Sequence, residues 1–166
     1  GWDRNKYLNI WVCNLSSGLL GYATPPGASA SSDGVVCGYR YFGDIADTDG
    51  TFVLSAPFNK GRTVTHEVGH WLNLRHIWGD SNCGNDLVND TPTQQSSNFG
   101  CPNFPKITCS NGPNGDMFTN YMDYSDDGCM NVFSQGQGAR MQACVNTSMV
   151  SLKTSDGCDG AINSLK

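Results

Sequence analysis

All three histidines of this chain, His66, His70 and His76, lie in one segment of eleven residues that also contains its only glutamate, Glu67. In an α-helix, residues four apart lie on the same face, so the imidazoles of His66 and His70 would converge on one point. Glu67 would project beside that face, where its carboxylate can contact a metal-bound water without binding the metal. This spacing predicts a catalytic zinc site on a helix.

His76 is out of helical register with His70, so the chain must turn sharply between them. Asn73 suits that turn, because asparagine is the usual substitute for glycine in the left-handed conformation that ends many helices. Three histidine ligands leave the fourth position of a tetrahedral zinc open, as in catalytic sites. One alternative is a chance cluster of ordinary histidines, since a bare HExxH pattern is short. A structural zinc would need a fourth protein ligand, and the sequence offers no convincing one.

The composition indicates one loop-rich domain. The 166 residues suffice for a single continuous core, while the hydrophobic fraction is modest at 38%. Glycine, serine, asparagine and aspartate are abundant, which favours turns over long helices. A net charge of -5 and the lack of any Lys/Arg run argue against nucleic acid or an anionic membrane as partner. Because no run of about 18 apolar residues is present, we expect no membrane span.

Eight cysteines without a CxxC pair predict disulfide bonds rather than a cysteine metal cluster. Disulfides form in oxidising compartments, so we expect the chain to be secreted. It begins at Gly1 without a signal peptide, as a mature or trimmed product would. Buried free thiols in a cytosolic protein are the alternative.

The pattern of apolar residues predicts an α+β fold. Gly18, Gly21 and the run 25–27 are interpreted as turns. Residues 79–120 show almost no periodicity, and long irregular segments inside a domain are usually functional or cross-linked. We expect three strands that form a small sheet, a zinc-binding helix, and a last helix that follows a capping box at Ser134. Their predicted ranges are Tyr7–Leu15, Gly34–Phe42 and Thr51–Ala56 for the strands, Lys60–Leu72 for the zinc helix, and Ser134 to about Val145 for the last helix.

Two segments resemble the metzincin zinc metallopeptidases, and more narrowly the pappalysin family. They are residues 66–76 (HEVGHWLNLRH) and residues 120–130 (NYMDYSDDGCM), and the likeness extends in order from Tyr7 to Cys144. The resemblance implies a metzincin-like zincin domain with a small twisted mixed sheet, an active-site helix and a C-terminal helix, loop-rich and disulfide-stabilised. It also implies that residues 1–166 are a single catalytic domain of a secreted zinc endopeptidase that acts on proteins or peptides. The oligomeric state is not indicated.

The resemblance assigns roles to three residues of the second segment. Met122 matches the methionine that forms a hydrophobic floor beneath the zinc ligands without binding metal. Tyr124 matches a position whose phenol reaches the substrate carbonyl, where it can donate a hydrogen bond to an oxyanion; simple packing is the alternative. Asp127 matches the position that lines the pocket for the residue after the scissile bond, which implies a preference for Arg or Lys. Asp126 is an alternative for that role.

The resemblance also implies calcium and a disulfide pattern. The oxygen-rich segment 85–92 lies where the family carries calcium-binding loops, and Asp86, Asp90 and Thr91 are the predicted ligands, with an ordinary turn as the alternative. By analogy with the family, the cysteine pairs are Cys83–Cys109 and Cys101–Cys129, which leaves Cys13–Cys37 and Cys144–Cys158. The sequence alone cannot establish this connectivity, because eight cysteines allow many pairings.

Two features depart from the family pattern. Asn73 replaces the more frequent glycine, which would tilt His76 slightly. Metzincin catalytic domains usually open with a strand and a long backing helix, and nothing before Tyr7 can form them. The chain is therefore either a fragment or processed form, or it closes its core differently.

The predicted mechanism makes Glu67 the general base, which would accept a proton from the attacking water and pass it to the leaving amine. A peptide substrate would add a strand at the edge of the Gly34–Phe42 segment. The main alternative is a non-catalytic, disulfide-rich module that contains zinc and binds a protein, although the presence of Glu67 argues against it. A zinc hydrolase with a non-peptide substrate is a third hypothesis, which the family resemblance disfavours.

Overall fold

A computed structural model describes residues 1–16, 18–47 and 49–157. These residues form one small sheet, three α-helices and long irregular connections. None of the described helices combines the length and apolar character that a membrane span requires. The elements are β1 (Ile10–Cys13), β2 (Gly21–Ala23), β3 (Val35–Gly38), α1 (Arg62–Trp71), α2 (Gln135–Thr147) and α3 (Val150–Lys153), with short 3-10 turns at Tyr39–Tyr41 and Ile45–Asp47.

The sheet is mixed and has the order β1-β3-β2, with β3 at its centre. β1 pairs with β3 in parallel, and β2 pairs with β3 in antiparallel fashion. The valines of β3 favour extended backbone, and Val35 is buried in one cluster with Trp71 of α1. The predicted small mixed sheet is therefore confirmed, and it packs against the helix that carries two of the histidines.

The strand predictions are correct only in part. The predicted strand Thr51–Ala56 is wrong, because the segment has no ladder partner among the described residues and leaves Phe52 and Val53 exposed. The second predicted strand is shorter than expected, since the chain enters a 3-10 turn directly after Gly38. β2 lies where turns were expected, at Gly21. A three-residue strand carries too little periodicity to be recognised, and its pairing with β3 defines it.

The helix α1 is confirmed close to its predicted ends. It stops two residues before Asn73, which adopts the left-handed conformation with φ of 73°. The N–H of Asn73 donates to the His70 carbonyl at 2.9 Å, and the N–H of Leu74 donates to the Gly69 carbonyl at 2.9 Å. These two bonds form a Schellman motif, in which asparagine takes the position usually held by glycine. The chain thereby reverses direction toward His76.

The last predicted helix is also confirmed, as α2, and its N-terminus has the expected capping box. The Ser134 hydroxyl accepts a hydrogen bond from the N–H of Gln137 at 3.1 Å, and the Gln137 side chain accepts one from the N–H of Ser134 at 2.9 Å. The same Gln137 side chain bonds the buried amide of Asn120. The cap therefore also connects α2 to the segment that precedes Met122.

Residues 79–120 contain neither helix nor strand, as the sequence predicted. Two disulfides hold this segment, Cys83–Cys109 and Cys101–Cys129, as the resemblance implied. The buried carboxylate of Asp123 adds a polar anchor, because it accepts from the main-chain N–H of Asn98 at 2.7 Å and from its side-chain amide at 2.8 Å. Covalent and polar links thus replace regular secondary structure beside the histidines.

The other two predicted disulfides have different outcomes. Cys13–Cys37 is wrong, since both thiols are free. Cys37 stands opposite Val12 in the parallel ladder, so the side chain of Cys13, one residue later, projects to the other face of the sheet. Burial raises the pKa of the Cys37 thiol to about 12, which keeps it protonated. The Cys144–Cys158 bond lies outside the described residues, because Cys158 is not among them.

Candidate active site

The three histidines converge on one point. Nε2 of His70 lies 3.0 Å from Nε2 of His66 and 3.1 Å from Nε2 of His76. His66 and His70 are one turn apart on α1, and the turn at Asn73 brings His76 toward them. Within the described part of the chain, this is the one cluster of three metal-binding side chains whose ligand atoms all lie within 4.8 Å of one another.

The outward-facing nitrogens show why this cluster suits a cation. Nδ1 of His66 lies 2.7 Å from the Tyr121 carbonyl oxygen, and Nδ1 of His70 lies 2.9 Å from the Leu74 carbonyl oxygen. A carbonyl oxygen can only accept, so each Nδ1 carries the proton and each Nε2 presents a lone pair to the centre. Such lone pairs repel unless a cation lies between them. Tetrahedral zinc with Zn–N distances of about 2.0–2.1 Å places its nitrogen ligands roughly 3.3 Å apart, so the residues fit a zinc ion.

Burial keeps the helical imidazoles neutral. Loss of hydration, together with the neighbouring His70 and His76, lowers the pKa of His66 to about 3. Loss of hydration also lowers the pKa of His70. A metal binds the neutral ring, so the surroundings of α1 favour the state that ligation requires.

Glu67 lies beside the histidines without joining their cluster. Its side chain is 8% exposed and lines the same cleft as the histidines. Burial raises its pKa to about 7, so the carboxyl group can both take up and release a proton near neutrality. Gly21 of β2 leaves room for this side chain, because a Cβ at that position would lie 3.1 Å from Cγ of Glu67.

Tyr124 lies at the open side of the histidine cluster. Its hydroxyl is 3.0 Å from Nε2 of His76, and its ring centroid is 5.6 Å from that of His66. The residue is 38% exposed, so the phenol reaches the cleft rather than the core. Partial burial raises the pKa of the phenol, which therefore keeps its proton at neutral pH and can donate a hydrogen bond.

Met122 packs against α1 beside Gly69, and its role as a floor beneath the zinc ligands stays a prediction. It is fully buried in a cluster with Leu74 and Ile77. Its sulfur approaches Gly69, the residue of α1 next to His70, so closely that a Cβ at Gly69 would lie 2.5 Å from Sδ. The methionine thus supports the helix between the two ligands it carries.

The histidines, Glu67 and Tyr124 line an open cleft of about 660 Å³ between β2 on one side and residues 123–130 on the other. Asp127 lines the same cleft and is 3% exposed. Its Oδ2 accepts from the main-chain N–H of Lys60 at 2.7 Å and of Arg62 at 3.2 Å, at the N-terminus of α1. Burial raises the pKa of this carboxyl group.

The three predicted calcium ligands have hydrogen-bond partners of their own. The Thr91 hydroxyl donates to the Asp86 carboxylate at 2.9 Å. Asp90 instead accepts from the N–H of Gly136 at 2.8 Å and from the Ser134 hydroxyl at 2.7 Å, at the N-terminus of α2. These contacts give the segment a structural role, and calcium binding here stays a prediction.

Four features of the site went unrecognised in the sequence. β2 forms one side of the cleft, although its first residue, Gly21, was interpreted as a turn. Asp80 lies 2.5 Å from Nδ1 of His76, and Trp78 stacks on the His76 ring with centroids 4.3 Å apart. The one signal available was the position of Asp80, a carboxylate four residues after a predicted ligand. The cleft also includes Arg62, whose guanidinium lies 5.5 Å above the Tyr121 ring.

Known proteins are similar to this chain in sequence and in fold. The extracellular metalloprotease of Verticillium alfalfae is 42% identical over 146 residues, which cover 82% of this chain and 49% of that protein. The extracellular metalloprotease of Pyricularia oryzae is 43% identical over 146 residues, which cover 83% of this chain and 48% of that protein. Among solved structures, mature mirolysin of Tannerella forsythia in complex with a cleaved peptide matches with a TM-score of 0.83 and 48% identity, over 92% of this chain and 58% of that one.

The structural match confirms the metzincin-like fold expected from the sequence. The chain spans about half the length of the curated relatives it matches. The model of the family Peptidase M43, described as pregnancy-associated plasma protein-A, matches residues 1–146. Because that match covers most of the chain, the chain belongs to the Peptidase M43 family, the pappalysins.

Proposed function

We propose that this chain carries the catalytic centre of a secreted zinc-dependent endopeptidase. The observation that supports this most directly is the convergence of three histidine Nε2 atoms beside Glu67 in an open cleft. Secretion is supported by the relatives named as extracellular metalloproteases and by the two disulfides.

His66, His70 and His76 would hold the zinc ion. When bound, zinc supplies Lewis acidity that lowers the pKa of a water molecule and polarises a carbonyl group. The lone pairs that converge from the three rings, with Nδ1 of His66 and His70 each committed to a main-chain carbonyl, support this ligand set. Three protein ligands leave room in the cleft for water and substrate.

Glu67 is the proposed general base. Its carboxylate would take the proton from the attacking water and later give it to the leaving amine. A pKa raised to about 7 by burial supports this role, because the same group must be a base in one step and an acid in the next. Tyr124 is the proposed donor to the oxyanion, since its protonated hydroxyl lies at the open side of the cluster.

The peptide substrate is proposed to lie along β2 rather than along β3. The earlier expectation placed it at the Gly34–Phe42 segment, but β3 is the central strand and both of its edges are already paired. β2 pairs with β3 on one side only, and its residues Gly21–Ala23 line the cleft. Its other edge is the one that can accept an added strand next to Glu67.

Asp127 is proposed to give a preference for Arg or Lys after the scissile bond. Its Oδ2 is committed to the N-terminus of α1, while no described residue donates to Oδ1. A carboxylate in a largely buried wall of the cleft attracts a cationic side chain more strongly than one in open water. The expected consequence is faster cleavage before Arg or Lys than before a neutral residue of similar size.

The test compares the zinc-loaded protein with its Glu67→Gln and Glu67→Ala variants on casein. Both variants should bind one zinc per chain and unfold at the parental temperature, yet cleave casein no faster than a blank does. A chelator should abolish parental cleavage, and added zinc should restore it. Parental cleavage rates in either variant would show that Glu67 is not the base. Zinc binding without any cleavage by the parent would favour the non-catalytic binding module.

A further inference from the structure

We propose that Asp80 is a positioning residue that holds His76 in the orientation required for zinc binding. Oδ1 of Asp80 lies 2.5 Å from Nδ1 of His76, on the side of the ring opposite the nitrogen that faces the other histidines. A carboxylate can only accept from that nitrogen, so the contact places the proton on Nδ1 and leaves Nε2 free as the ligand. The inference rests on the proposed function, because it takes zinc to be the ion that the cluster binds.

His76 needs such a partner more than the other two ligands do. His66 and His70 are part of α1, and their Nδ1 atoms bond the main-chain carbonyls of Tyr121 and Leu74. A main-chain carbonyl acceptor is present whichever side chain its residue carries. His76 follows the end of α1 in irregular backbone, and the acceptor for its Nδ1 is a side chain. The orientation of this third ligand therefore depends on the residue at position 80.

The backbone turn at residues 76–80 brings the side chain of Asp80 next to His76. The N–H of Gly79 donates to the His76 carbonyl at 2.8 Å, which closes a tight turn. Gly79 and Asp80 both have positive φ, of 64° and 58°, a conformation that glycine adopts freely and aspartate tolerates. A Cβ at Gly79 would lie 2.3 Å from the main-chain nitrogen of Asn85, so the turn requires glycine there.

Trp78 completes the surroundings of the His76 ring. Its ring is stacked on the imidazole with centroids 4.3 Å apart and planes within 8° of parallel. The stacked indole restricts tilting of the imidazole plane, while the carboxylate of Asp80 restricts rotation within that plane. Together the two side chains define one ring orientation before any metal arrives.

The contact is expected to affect metal affinity rather than folding. The Asp80 side chain is 59% exposed, and ion pairs at that level of exposure contribute little to stability. Partners that orient metal-bound histidines, by contrast, typically change metal affinity by about 10- to 100-fold when removed. Loss of Asp80 should therefore leave the metal-free fold intact and weaken zinc binding.

The experiment measures the zinc dissociation constant by competition with a chromophoric chelator for the parent, Asp80→Ala and Asp80→Asn. Asp49→Asn is the matched control, because Asp49 is an exposed carboxylate whose described side-chain contacts are with Thr51. Asp80→Ala should bind zinc about 10- to 100-fold more weakly than the parent. Asp80→Asn should bind more tightly than Asp80→Ala, because an amide oxygen can still accept from Nδ1, and the control should match the parent.

Two further measurements separate orientation from folding. Metal-free Asp80→Ala should unfold at the parental temperature, and its cobalt-substituted form should show an altered visible spectrum that reports a changed ligand geometry. Parental zinc affinity in Asp80→Ala, or equal affinities in the Ala and Asn variants, would overturn the orienting role. If the parent itself bound no zinc, the proposed function would fail first, which is a distinct result.

Discussion

Gly69 is the position at which the packing beneath the histidines can be tested most directly. It lies on α1 next to His70, and an added Cβ would meet the Met122 sulfur at 2.5 Å and a Leu74 methyl carbon at 3.5 Å. Met122 is fully buried, so its sulfur cannot move aside without disturbing Leu74 and Ile77. Gly69→Ala therefore forces either the methionine or the helix to shift.

Gly138 provides the matched control for this substitution. It also lies within a helix, α2, but a Cβ there would meet no atom within 4 Å. Gly138→Ala should stabilise the protein by about 0.5–1 kcal/mol, because alanine favours helix more than glycine does. Gly69→Ala gains the same helix preference but adds an overpacking cost of about 1–3 kcal/mol. The difference between the two variants isolates the packing cost.

Thermal and denaturant unfolding of the metal-free proteins should reveal this difference. For a chain of this size, each kcal/mol corresponds to about 2–4 °C in the unfolding temperature, so Gly69→Ala should unfold roughly 2–12 °C below Gly138→Ala. The use of metal-free protein ensures that zinc affinity does not contribute. Equal unfolding temperatures for the two variants would refute the proposition that Met122 packs tightly against α1.

Three other predictions concern the cleft. Tyr124→Phe should lower kcat by about 10²-fold with little change in KM, because an oxyanion donor acts mainly in the transition state; steady-state kinetics on a fluorogenic peptide test this, and an unchanged kcat would exclude the role. The pKa of Asp127 is raised above its ordinary value of 3.8, so its ionisation opposes folding. The parent should thus lose stability relative to Asp127→Asn as pH rises from near 3.8 through the raised pKa of the folded state, and a pH-independent difference in denaturant unfolding would contradict this. With zinc at about 100-fold its dissociation constant, removing the zinc should lower the free energy of unfolding by about 2.7 kcal/mol and the unfolding temperature by roughly 5–11 °C. The loss should be equal in the parent and in Glu67→Gln. Scanning calorimetry measures both, and a smaller loss or a difference between the two proteins would contradict this.

The sequence predicted the parts of the site that depend on local chemistry. Helical spacing placed His66 and His70 on one face, and Asn73 indicated the left-handed turn that the structure contains. The capping box at Ser134 likewise located the start of α2. Each of these predictions rests on interactions between residues that are close in the sequence, so the sequence alone is enough to make it.

The parts that the sequence did not predict depend on contacts between distant residues. β2 is a strand because β3 lies beside it, and Thr51–Ala56 is not one because it lacks such a neighbour among the described residues. The Cys13–Cys37 pairing failed because strand alternation separates the two thiols, and register is invisible in the sequence. The role of Asp127 at the start of α1 spans more than sixty residues of chain and required the folded structure.

The bond from Asp127 to the start of α1 has a consequence for how the substrate preference of this protein can change. One carboxylate both lines the cleft and accepts hydrogen bonds at the start of the helix that carries His66, Glu67 and His70. Under the proposed function, replacing it with an apolar residue would change the charge of the cleft and remove the hydrogen bonds that hold the start of α1 in a single step. Substitutions that change the cleft while keeping the start of α1 in place are therefore those that retain a hydrogen-bond acceptor at position 127, or those at neighbouring positions.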